Sequence, residues 1–436
     1  MQFRSTQAQE PLVSFKDVVL RCLPPDEGLY VPAQVADMRQ YFMHMDAKTT
    51  YPEVVATMAP ALLQEELNPF SAKRAVESAF SFEPELTRLD DNISLLSLYN
   101  GPTGVFKDFG IAFLAAVMEE LVKNSGPAMV LSASRGNVGV SLAQAFRGRK
   151  GIISVILYPA GPIRGLDPAS FVTNGGNIIP IQITGTLDDC QRLIVEAIED
   201  RPFAERYGVT SANAINLGRL LPQCFYYIYA FVKIKNSLRG DLVFSVPCGN
   251  FGNLIAGLYA WKFGMPVKGY IAAMNVNDAF GDYIRGRRFV PRPVVATNSP
   301  SLDVGLPSNY KRLAAFYEES PAVMRNMVYP ASIGDDRTMA AIRKAWEKYG
   351  VLLDPHSAVA FAAAEDLSSS QEFAGHVHTV VIATGHPAKR AVLVSQAIGR
   401  DIDIPPRLAQ LQRQVDPIAI IKPDLEALEG AIASCF

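Results

Sequence analysis

Two hydrophobic periodicities divide the chain. In the first hundred residues, apolar side chains recur at the spacing of amphipathic helices, which predicts helices over 51–63 and 71–80. From residue 127 onward, short apolar runs rich in β-formers alternate with helical segments. Strands that alternate with helices are typical of parallel sheets covered on both faces. The pattern therefore predicts an α/β fold preceded by a mostly helical N-terminal region.

The predicted strands and helices follow one another closely. The strands are 128–132, 152–158, 178–183, 242–246, 269–273 and 379–384, and the helices are 139–147, 187–200, 219–233, 254–263 and 336–349. Proline and glycine concentrate over 281–306, which predicts an irregular insertion between two α/β halves. We therefore predict a mostly helical region over 1–98, an α/β domain over 99–240 and a second α/β domain over 241–436.

Composition and charge narrow the class of protein. The 436 residues are 49% apolar and 19% charged, which is typical of a globular chain with two or three domains. With 41 basic and 43 acidic residues, the chain has no electrostatic footprint for nucleic acid or an anionic membrane. No signal-peptide pattern and no apolar run long enough to span a membrane is visible. Five widely separated cysteines argue against a disulfide framework or a metal site, and we expect a cytoplasmic enzyme.

Three polar turns follow predicted strands, where ligands bind in open α/β sheets. They are Ser134-Arg135-Gly136-Asn137-Val138-Gly139, Gly249-Asn250-Phe251-Gly252-Asn253 and Thr384-Gly385-His386-Pro387. The second turn precedes a helix whose first N–H groups can bind an anion, so it is a candidate phosphate site. No turn matches a Walker A or a dinucleotide-binding motif, which disfavours a nucleotide. Taken alone, each turn also fits an ordinary strand-to-helix connection.

One lysine lies in apolar company at a predicted helix start. Lys107 follows the turn Asn100-Gly101-Pro102-Thr103-Gly104 and has Val105, Phe106 and Phe109 as neighbours. Desolvation lowers the pKa of a lysine and makes its amine a better nucleophile toward an aldehyde and a better base. The alternative is a lysine whose stem lies along the surface at a helix start, with Asp108 as the N-cap. On the lysine alone, that alternative is favoured.

Short motifs spread over nearly the whole chain form a co-linear set. They include Gly28-Leu29-Tyr30-Val31-Pro32, Phe106-Lys107-Asp108-Phe109, Asn174-Gly175-Gly176-Asn177, Ser211-Ala212-Asn213, Asn275-Val276-Asn277-Asp278, Asp354-Pro355-His356 and His386-Pro387-Ala388-Lys389. This set resembles the threonine synthase family, whose members are pyridoxal phosphate (PLP) enzymes of fold type II, the tryptophan-synthase-β type. The resemblance implies two α/β domains with parallel sheets, the first with a smaller mobile subdomain.

The resemblance implies a cofactor site. Lys107 would hold PLP through a Schiff base, and backbone N–H groups of the 249–253 turn would bind the cofactor phosphate. Thr384 would place its hydroxyl near the pyridine nitrogen, and Asn137 would lie near the 3′ oxygen. The structural alternatives are that Thr384 only ends a strand and that Asn137 only accommodates a left-handed turn.

The resemblance also implies a substrate, O-phosphohomoserine. Lys107 would remove the α-proton and then a β-proton, phosphate would leave the γ-carbon, and water would add at the β-carbon to give threonine. The substrate contacts would come from Ser134, Arg135, Gly136, Asn137, Val138, Asn213, Arg219 and Asn250. The enzyme would bind a small amino acid as a monomer or homodimer.

Four positions depart from the family pattern near the substrate. Arg135 and Val138 stand where the family usually has Ser and Thr. Ala214 and Cys248 stand where it commonly has Ser. An arginine brings a fixed charge and a planar fork suited to a carboxylate or phosphate. Three functions therefore stay open: a threonine synthase, a related enzyme that eliminates or replaces the γ-substituent of another homoserine ester, and an amino-acid-binding protein without turnover.

Overall fold

Two parallel sheets organise the chain. The computed structural model describes residues 1–63, 65–134, 136–161, 163–369 and 377–435, with every side chain except those of Asn137 and Ile163. The strands are β1 (Phe3–Ser5), β2 (Tyr30–Pro32), β3 (Glu85–Arg88), β4 (Ile93–Ser97), β5 (Ala128–Ala133), β6 (Ile152–Pro159), β7 (Ile163–Arg164), β8 (Ile178–Ile183), β9 (Val209–Ser211), β10 (Asp241–Pro247), β11 (Gly269–Met274), β12 (Val328–Ser332), β13 (Val377–Ala383), β14 (Gln414–Val415) and β15 (Ala419–Ile421).

Helices cover both sheets. They are α1 (Phe15–Arg21), α2 (Arg39–Met43), α3 (Tyr51–Met58), α4 (Pro60–Leu63), α5 (Pro69–Ala79), α6 (Lys107–Val122), α7 (Asn137–Phe146), α8 (Leu187–Glu199), α9 (Arg201–Tyr207), α10 (Leu217–Leu220), α11 (Cys224–Ile234), α12 (Gly252–Lys262), α13 (Ala279–Ile284), α14 (Tyr310–Glu319), α15 (Pro321–Met327), α16 (Asp335–Tyr349), α17 (Pro355–Ser369), α18 (Ala391–Ile398), α19 (Pro406–Gln410) and α20 (Leu425–Ala433). No helix in the described part of the chain is long and apolar enough to cross a membrane.

The two sheets have different sizes. The larger sheet has the order β12-β11-β10-β13-β4-β3, and its edge strand β3 is antiparallel to β4 while the other neighbours are parallel. The smaller sheet has the order β15-β8-β6-β5-β9 with parallel pairing. Strands β5 and β11 are buried at every position, as expected for parallel strands covered on both faces. The predicted α/β fold class is confirmed.

The sheets do not follow the order of the chain. The 1–98 region holds helices α1 to α5 but also β4, a buried strand inside the larger sheet, and the C-terminal strand β15 joins the smaller sheet. Each sheet thus contains strands from two of the predicted domains. The domain boundaries themselves remain a prediction. The irregular 281–306 segment lies between β11 and β12, neighbours in one sheet. The prediction that it separates two α/β halves was wrong.

Two predicted helices are interrupted at a proline. The 51–63 helix divides into α3 and α4 where Pro60 follows Ala59, and the 219–233 helix divides into α10 and α11 around a 3₁₀ turn that contains Pro222. Proline lacks the N–H that a helix interior requires and its ring clashes with the preceding turn. The second interruption ends α10 one residue after Arg219, a residue of the site described below.

Helix α6 connects the parts of the fold. It is buried along most of its length and packs against α5, α7 and α10. Near its start, the Phe109 ring lies 4.9 Å from Phe82, 5.4 Å from Tyr51 and 5.9 Å from Tyr226, measured between ring centroids. Each such aromatic contact contributes about 0.5–1.5 kcal/mol beyond the burial of its area. The N-terminus of α6, which carries Lys107, is therefore firmly held.

Candidate active site

Three predicted segments meet at one edge of the larger sheet. Strands β10, β13 and β4 are neighbours and parallel, so their carboxyl ends lie side by side. The 249–253 turn follows β10, Thr384 follows β13, and the turn that leads to Lys107 follows β4. Ligands of open α/β folds bind beyond this edge of the sheet. The topology thus brings the lysine, the predicted phosphate turn and the predicted ring-nitrogen residue together.

Backbone pairing fixes Lys107 beside Thr384. The N–H of Phe106 donates to the carbonyl of Thr384 (2.9 Å), and the N–H of His386 donates to the carbonyl of Gly104 (2.9 Å). Gly104 has a φ of +71°, and a Cβ there would lie 2.9 Å from a methyl group of Leu408. This position therefore requires glycine. The turn before Lys107 is consequently locked onto the segment after β13.

The amine of Lys107 has unusual electrostatic surroundings. Burial, followed by the positive charges of Arg219 and Lys389, lowers its pKa to about 8, while Asp108 opposes the shift. Among the described residues, the amine makes no hydrogen bond. A lysine with such a pKa is partly unprotonated near neutral pH and can act as a nucleophile or a base. The structure thus agrees with the desolvated lysine rather than with a lysine on the surface.

Asp108 is not the N-cap of this helix. Its carboxylate is buried and accepts hydrogen bonds from the backbone N–H (2.8 Å) and the hydroxyl (2.6 Å) of Thr103. The hydroxyl of Thr103 also lies 2.7 Å from that of Ser141 on α7. Asp108 therefore shapes the turn before Lys107 and, through Thr103, ties it to the helix that follows β5. The alternative in which Asp108 caps the helix was wrong.

The 249–253 turn presents free backbone donors. The first intrahelical bond of α12 runs from the N–H of Ile255 to the carbonyl of Phe251 (2.9 Å), so the N–H groups of Gly252, Asn253 and Leu254 have no intrahelical acceptor. Phe251 has a φ of +58°, a conformation that non-glycine residues rarely adopt. Strain of this kind concentrates at ligand sites. The turn is thus built as an anion-binding helix N-terminus.

The two asparagine side chains of this turn hold it in place. The amide oxygen of Asn253 accepts from the hydroxyls of Tyr226 (2.6 Å) and Tyr227 (2.7 Å), and its buried amide nitrogen has no partner. The amide oxygen of exposed Asn250 accepts from the N–H of Ser308 (2.9 Å). What remains available to an anion among the described residues is the backbone, the amide nitrogen of Asn253 and the amide nitrogen of Asn250.

Arg219 on α10 and Asn213 on the loop before it carry unsatisfied polar atoms. Arg219 is 5% exposed, and burial lowers its pKa to about 10. Its Nη1 donates to the carbonyl of Ala212 (2.7 Å), its Nε has no partner, and no described carboxylate pairs with it. The amide oxygen of Asn213 is also buried and unpaired. Buried polar atoms almost always have partners, so the Arg219 donor is available to a ligand oxygen and the Asn213 oxygen to a ligand N–H or O–H.

The loop after β5 is described in part. The Ser134 hydroxyl accepts from the N–H groups of Gly136 (3.0 Å) and Gly139 (2.7 Å), so it closes its own loop. Val138 is half-buried against the largest hydrophobic core, and a Cβ at Gly136 would meet nothing within 4 Å. Arg135 and the side chain of Asn137 lie outside the described residues. Space therefore lies open beside Gly136, while the hydroxyl of Ser134 is already engaged.

Sequence reasoning missed Arg312 on α14. This residue is fully buried, and it donates to the carbonyls of Tyr30 (2.9 Å) and Ile215 (2.6 Å) and to the side-chain oxygen of Asn309 (2.6 Å). It thereby holds the loop that carries Asn213 and Arg219. Arg312 lies on the same helix face as Leu313 and Phe316, and that spacing was the available signal.

The residues at this edge fit PLP. Lys107 offers an amine without a hydrogen bond, and the start of α12 offers free N–H groups beside the unpaired amide nitrogen of Asn253. Thr384 is buried, and its hydroxyl has no hydrogen-bond partner in the described part of the chain. The aldehyde of PLP would meet the amine of Lys107, its phosphate would meet the N–H groups at the start of α12, and its ring nitrogen would meet the hydroxyl of Thr384.

The fold and this site define a PLP-dependent enzyme of fold type II. A family model described as a pyridoxal-phosphate dependent enzyme matches residues 84–385, and models of the threonine synthase N terminus and C-terminal region match 2–80 and 357–432. The chain is 34% identical over 401 residues to threonine synthase of Serratia marcescens, covering 91% of each. The threonine synthase structure from Escherichia coli matches with a TM-score of 0.87 and 31% identity over all of both chains. A PLP-bound threonine synthase structure from Brucella melitensis matches with a TM-score of 0.86 and 28% identity, over 100% of this chain and 99% of that one. The chain belongs to the threonine synthase family.

Proposed function

We propose that this chain converts O-phosphohomoserine and water to threonine and inorganic phosphate. One observation carries the proposal: Arg219, a buried cation without a carboxylate partner in the described residues, lies close enough to Lys107 to lower its pKa. A guanidinium placed there suits a phosphorylated amino acid whose reacting carbons lie at the lysine. Relatives named threonine synthase, 30–34% identical over most of the chain, support the same reaction.

Lys107 is the proton-transfer residue in this proposal. When bound, PLP supplies an electron sink for negative charge that develops at the α-carbon. The Nζ of Lys107 takes the proton from the α-carbon and then one from the β-carbon, and phosphate leaves the γ-carbon. Lys107 then returns one proton to the γ-carbon, which becomes a methyl group, and one to the α-carbon, while water adds its hydroxyl at the β-carbon and its remaining proton goes to the released phosphate. A pKa of about 8 lets one amine both accept and release protons near neutral pH.

The loop from Asn213 to Arg219 binds the substrate phosphate in this proposal. Arg219 supplies charge, the side-chain amide N–H of Asn213 would donate to the phosphate, and Arg312 holds the segment by its backbone carbonyls at Ala214 and Ile215. Asn250 is a further proposed contact, although its oxygen already accepts from Ser308. Ser134 contributes through the loop it closes, which presents Gly136, Asn137 and Val138 to the amino-acid end of the substrate.

We also propose a monomer or homodimer in the cytoplasm. All five cysteines are free, and Cys248, which stands in place of a family serine, is buried with a strongly raised pKa because of that burial. Free, buried thiols suit a reducing compartment. The oligomeric state is measurable by sedimentation equilibrium on the PLP-loaded protein.

The test is phosphate release together with product identity. The PLP-loaded protein is given O-phosphohomoserine, O-acetylhomoserine and O-succinylhomoserine separately, and threonine is quantified in each. We expect threonine and phosphate in equal amounts and kcat/KM at least about a hundredfold higher for the phosphate ester, since Arg219 would be left unpaired by the neutral acetyl ester. Preference for another ester would replace this function with the related elimination or replacement reaction, which the loss of a hydroxyl at Ala214 motivates. Spectral PLP binding without turnover of any ester would favour the amino-acid-binding protein.

A further inference from the structure

A buried carboxylate behind the cofactor site organises two neighbours. Asp354 is almost fully buried and lies at the start of α17. One of its oxygens lies 2.5 Å from Nδ1 of His356, and the other accepts from the N–H (3.0 Å) and the hydroxyl of Ser357. The arrangement resembles a catalytic triad in composition only, because histidine and serine both face the carboxylate and not each other. The three residues instead form a fixed acceptor for groups outside α17.

The first branch reaches Thr384. The Ser357 hydroxyl donates its proton to Asp354, so its oxygen is free to accept the N–H of Thr384 (3.0 Å). This bond orients the peptide that begins the segment after β13. The next peptide, between Thr384 and Gly385, carries the carbonyl that accepts from Phe106, one residue before Lys107. Ser357 therefore helps to set the position of both Thr384 and the lysine turn.

The second branch reaches the 249–253 turn. Nε2 of His356 accepts the N–H of Ser301 (3.1 Å), so this nitrogen is unprotonated and the proton of the neutral ring lies on Nδ1, facing Asp354. The carbonyl of Ser301 backs directly onto Gly249, where a Cβ would approach it to 2.6 Å. His356 therefore fixes the wall against which the phosphate turn is packed.

We propose that Asp354, His356 and Ser357 are positioning residues that hold the two ends of the PLP site in register. Through Ser357 the network sets Thr384, and through His356 it sets the wall behind Gly249. The proposal rests on the assignment of Thr384 and the 249–253 turn to the cofactor, not on the identity of the substrate. None of the three residues has a role in proton transfer.

Two substitutions at His356 separate its contacts. In His356→Asn, the amide nitrogen replaces Nδ1 and keeps the bond to Asp354 but leaves Ser301 without an acceptor. In His356→Gln, the longer side chain replaces Nε2 and keeps the acceptor for Ser301 but releases Asp354. Ser301→Ala is the matched control, because it keeps the backbone N–H that His356 accepts. Each protein is stripped of cofactor, checked for native circular dichroism, and titrated with PLP and with pyridoxal, which lacks the phosphate.

The phosphate branch makes a specific prediction for these titrations. We expect His356→Asn to weaken PLP binding at least about tenfold while changing pyridoxal binding less than about threefold, because only the phosphate turn loses its support. His356→Gln should affect PLP less than His356→Asn does, and Ser301→Ala should match the wild type. Equal affinities of His356→Asn and the wild type for PLP, or an equal loss for PLP and pyridoxal, would overturn this branch.

Ser357→Ala tests the branch that reaches Thr384, because it removes only the hydroxyl that accepts the N–H of Thr384. We expect it to weaken PLP and pyridoxal alike and to shift the visible absorbance of the bound cofactor, as Thr384→Val should, because both changes act at the ring end. Unchanged affinity and spectrum would overturn the branch. Phosphate release is measured on the same wild-type preparation. If the wild type binds PLP tightly but does not release phosphate, and the variants bind PLP as predicted, the proposed function is wrong and this inference stands. If the wild type releases phosphate while the His356 and Ser357 variants bind PLP as the wild type does, the proposed function stands and this inference is wrong.

Discussion

At the scale of single residues, two buried arginines differ in how fully their donors are satisfied. Arg312 donates to four oxygen acceptors, whereas within the described residues Arg219 donates only to the carbonyl of Ala212. Burial lowers the pKa of both to about 10. A buried charge without hydrogen-bond partners lowers the stability of the folded protein, so its removal costs little. Removal of a buried charge that has partners leaves those partners unsatisfied and costs stability. The same kind of residue should therefore behave oppositely at the two positions.

Replacement of each arginine by methionine measures this difference. We expect Arg219→Met to leave the free energy of unfolding unchanged or to raise it by about 1 kcal/mol, while KM for O-phosphohomoserine rises at least about tenfold. Arg312→Met should lower the free energy of unfolding by about 3–5 kcal/mol. Urea unfolding of the cofactor-free proteins and steady-state kinetics check both. A large stability loss in Arg219→Met would show that its guanidinium has a structural role.

The lowered pKa of Lys107 predicts a pH dependence of stability. In the cofactor-free protein its folded pKa is about 8 against an ordinary 10.5, so between these values the unfolded chain binds more protons. Stability therefore rises with pH through this window, and the burial cost is fully present below about pH 8. Lys389, with a pKa lowered to about 8 by burial, adds to the same slope. Buried tyrosines with raised pKa values, such as Tyr229, reverse it above about pH 10.

Lys107→Met isolates the contribution of this amine. We expect the variant to exceed the wild type in unfolding free energy by about 3 kcal/mol at pH 7.5 and by only about 1 kcal/mol at pH 9.5. It should also lack the visible absorbance of bound PLP and all turnover. A stability difference that does not change with pH would mean that the amine is not desolvated in the folded protein.

At the scale of elements, the turn after β10 depends on the absence of one side chain. Gly249 lies against the backbone of Ser301 and Leu302, which cannot move as a flexible side chain would. We expect Gly249→Ala to weaken PLP binding at least about tenfold, since the added methyl displaces the turn that offers the N–H groups. Gly430→Ala inside α20, where a Cβ meets nothing within 4 Å, is the control and should stabilise the protein by about 0.5–1 kcal/mol. PLP titrations of both proteins compare the two effects, and equal affinities would contradict the packing argument.

Strands and helices were predictable from sequence where their own hydrophobic pattern is sufficient to identify them. The strands β5, β6, β8, β10 and β11 are mostly apolar runs, and each was predicted to within one residue at either end. Strand β4 was missed because two of its five residues are serines, and the segment becomes an interior strand only when β13 and β3 pair with it. The start of α17 was missed although Asp354 before Pro355 is a capping pattern.

The sequence predicted those residues of the site that belong to recognisable motifs. Lys107, Thr384 and the 249–253 turn lie together at one edge of the sheet, as expected of a fold-type-II site. How the side chains are used was not predictable, because that depends on partners far away in sequence. The amide oxygen of Asn253 is taken by Tyr226 and Tyr227, and Arg312 supports a carbonyl almost a hundred positions away. Periodicity and spacing contain no information on such pairings.

At the scale of the whole molecule, the C-terminal segment joins both sheets to the site. Arg407 donates to the carbonyls of Gly101 and Tyr99, and Leu408 fills the space beside Gly104 in the lysine turn. Further along, β15 pairs with β8 of the smaller sheet, and α20 packs against α8. One stretch of chain therefore packs against the Lys107 turn at one end and adds the edge strand of the smaller sheet at the other.

Substitutions at the two ends of this segment should have separable effects. Leu428 on α20 is fully buried in the core of the smaller sheet, so Leu428→Ala should lower the free energy of unfolding by about 2–5 kcal/mol and leave PLP affinity within about twofold of the wild type. Leu408→Ala removes the side chain that backs Gly104. It should weaken PLP binding about tenfold or more, because the turn that aims Lys107 loses its support. Urea unfolding with and without PLP, together with cofactor titration of both variants, distinguishes the effects. If Leu428→Ala lost PLP as strongly as Leu408→Ala, the segment would act on the site through overall stability, and the contact at Gly104 would have no special part in holding the lysine.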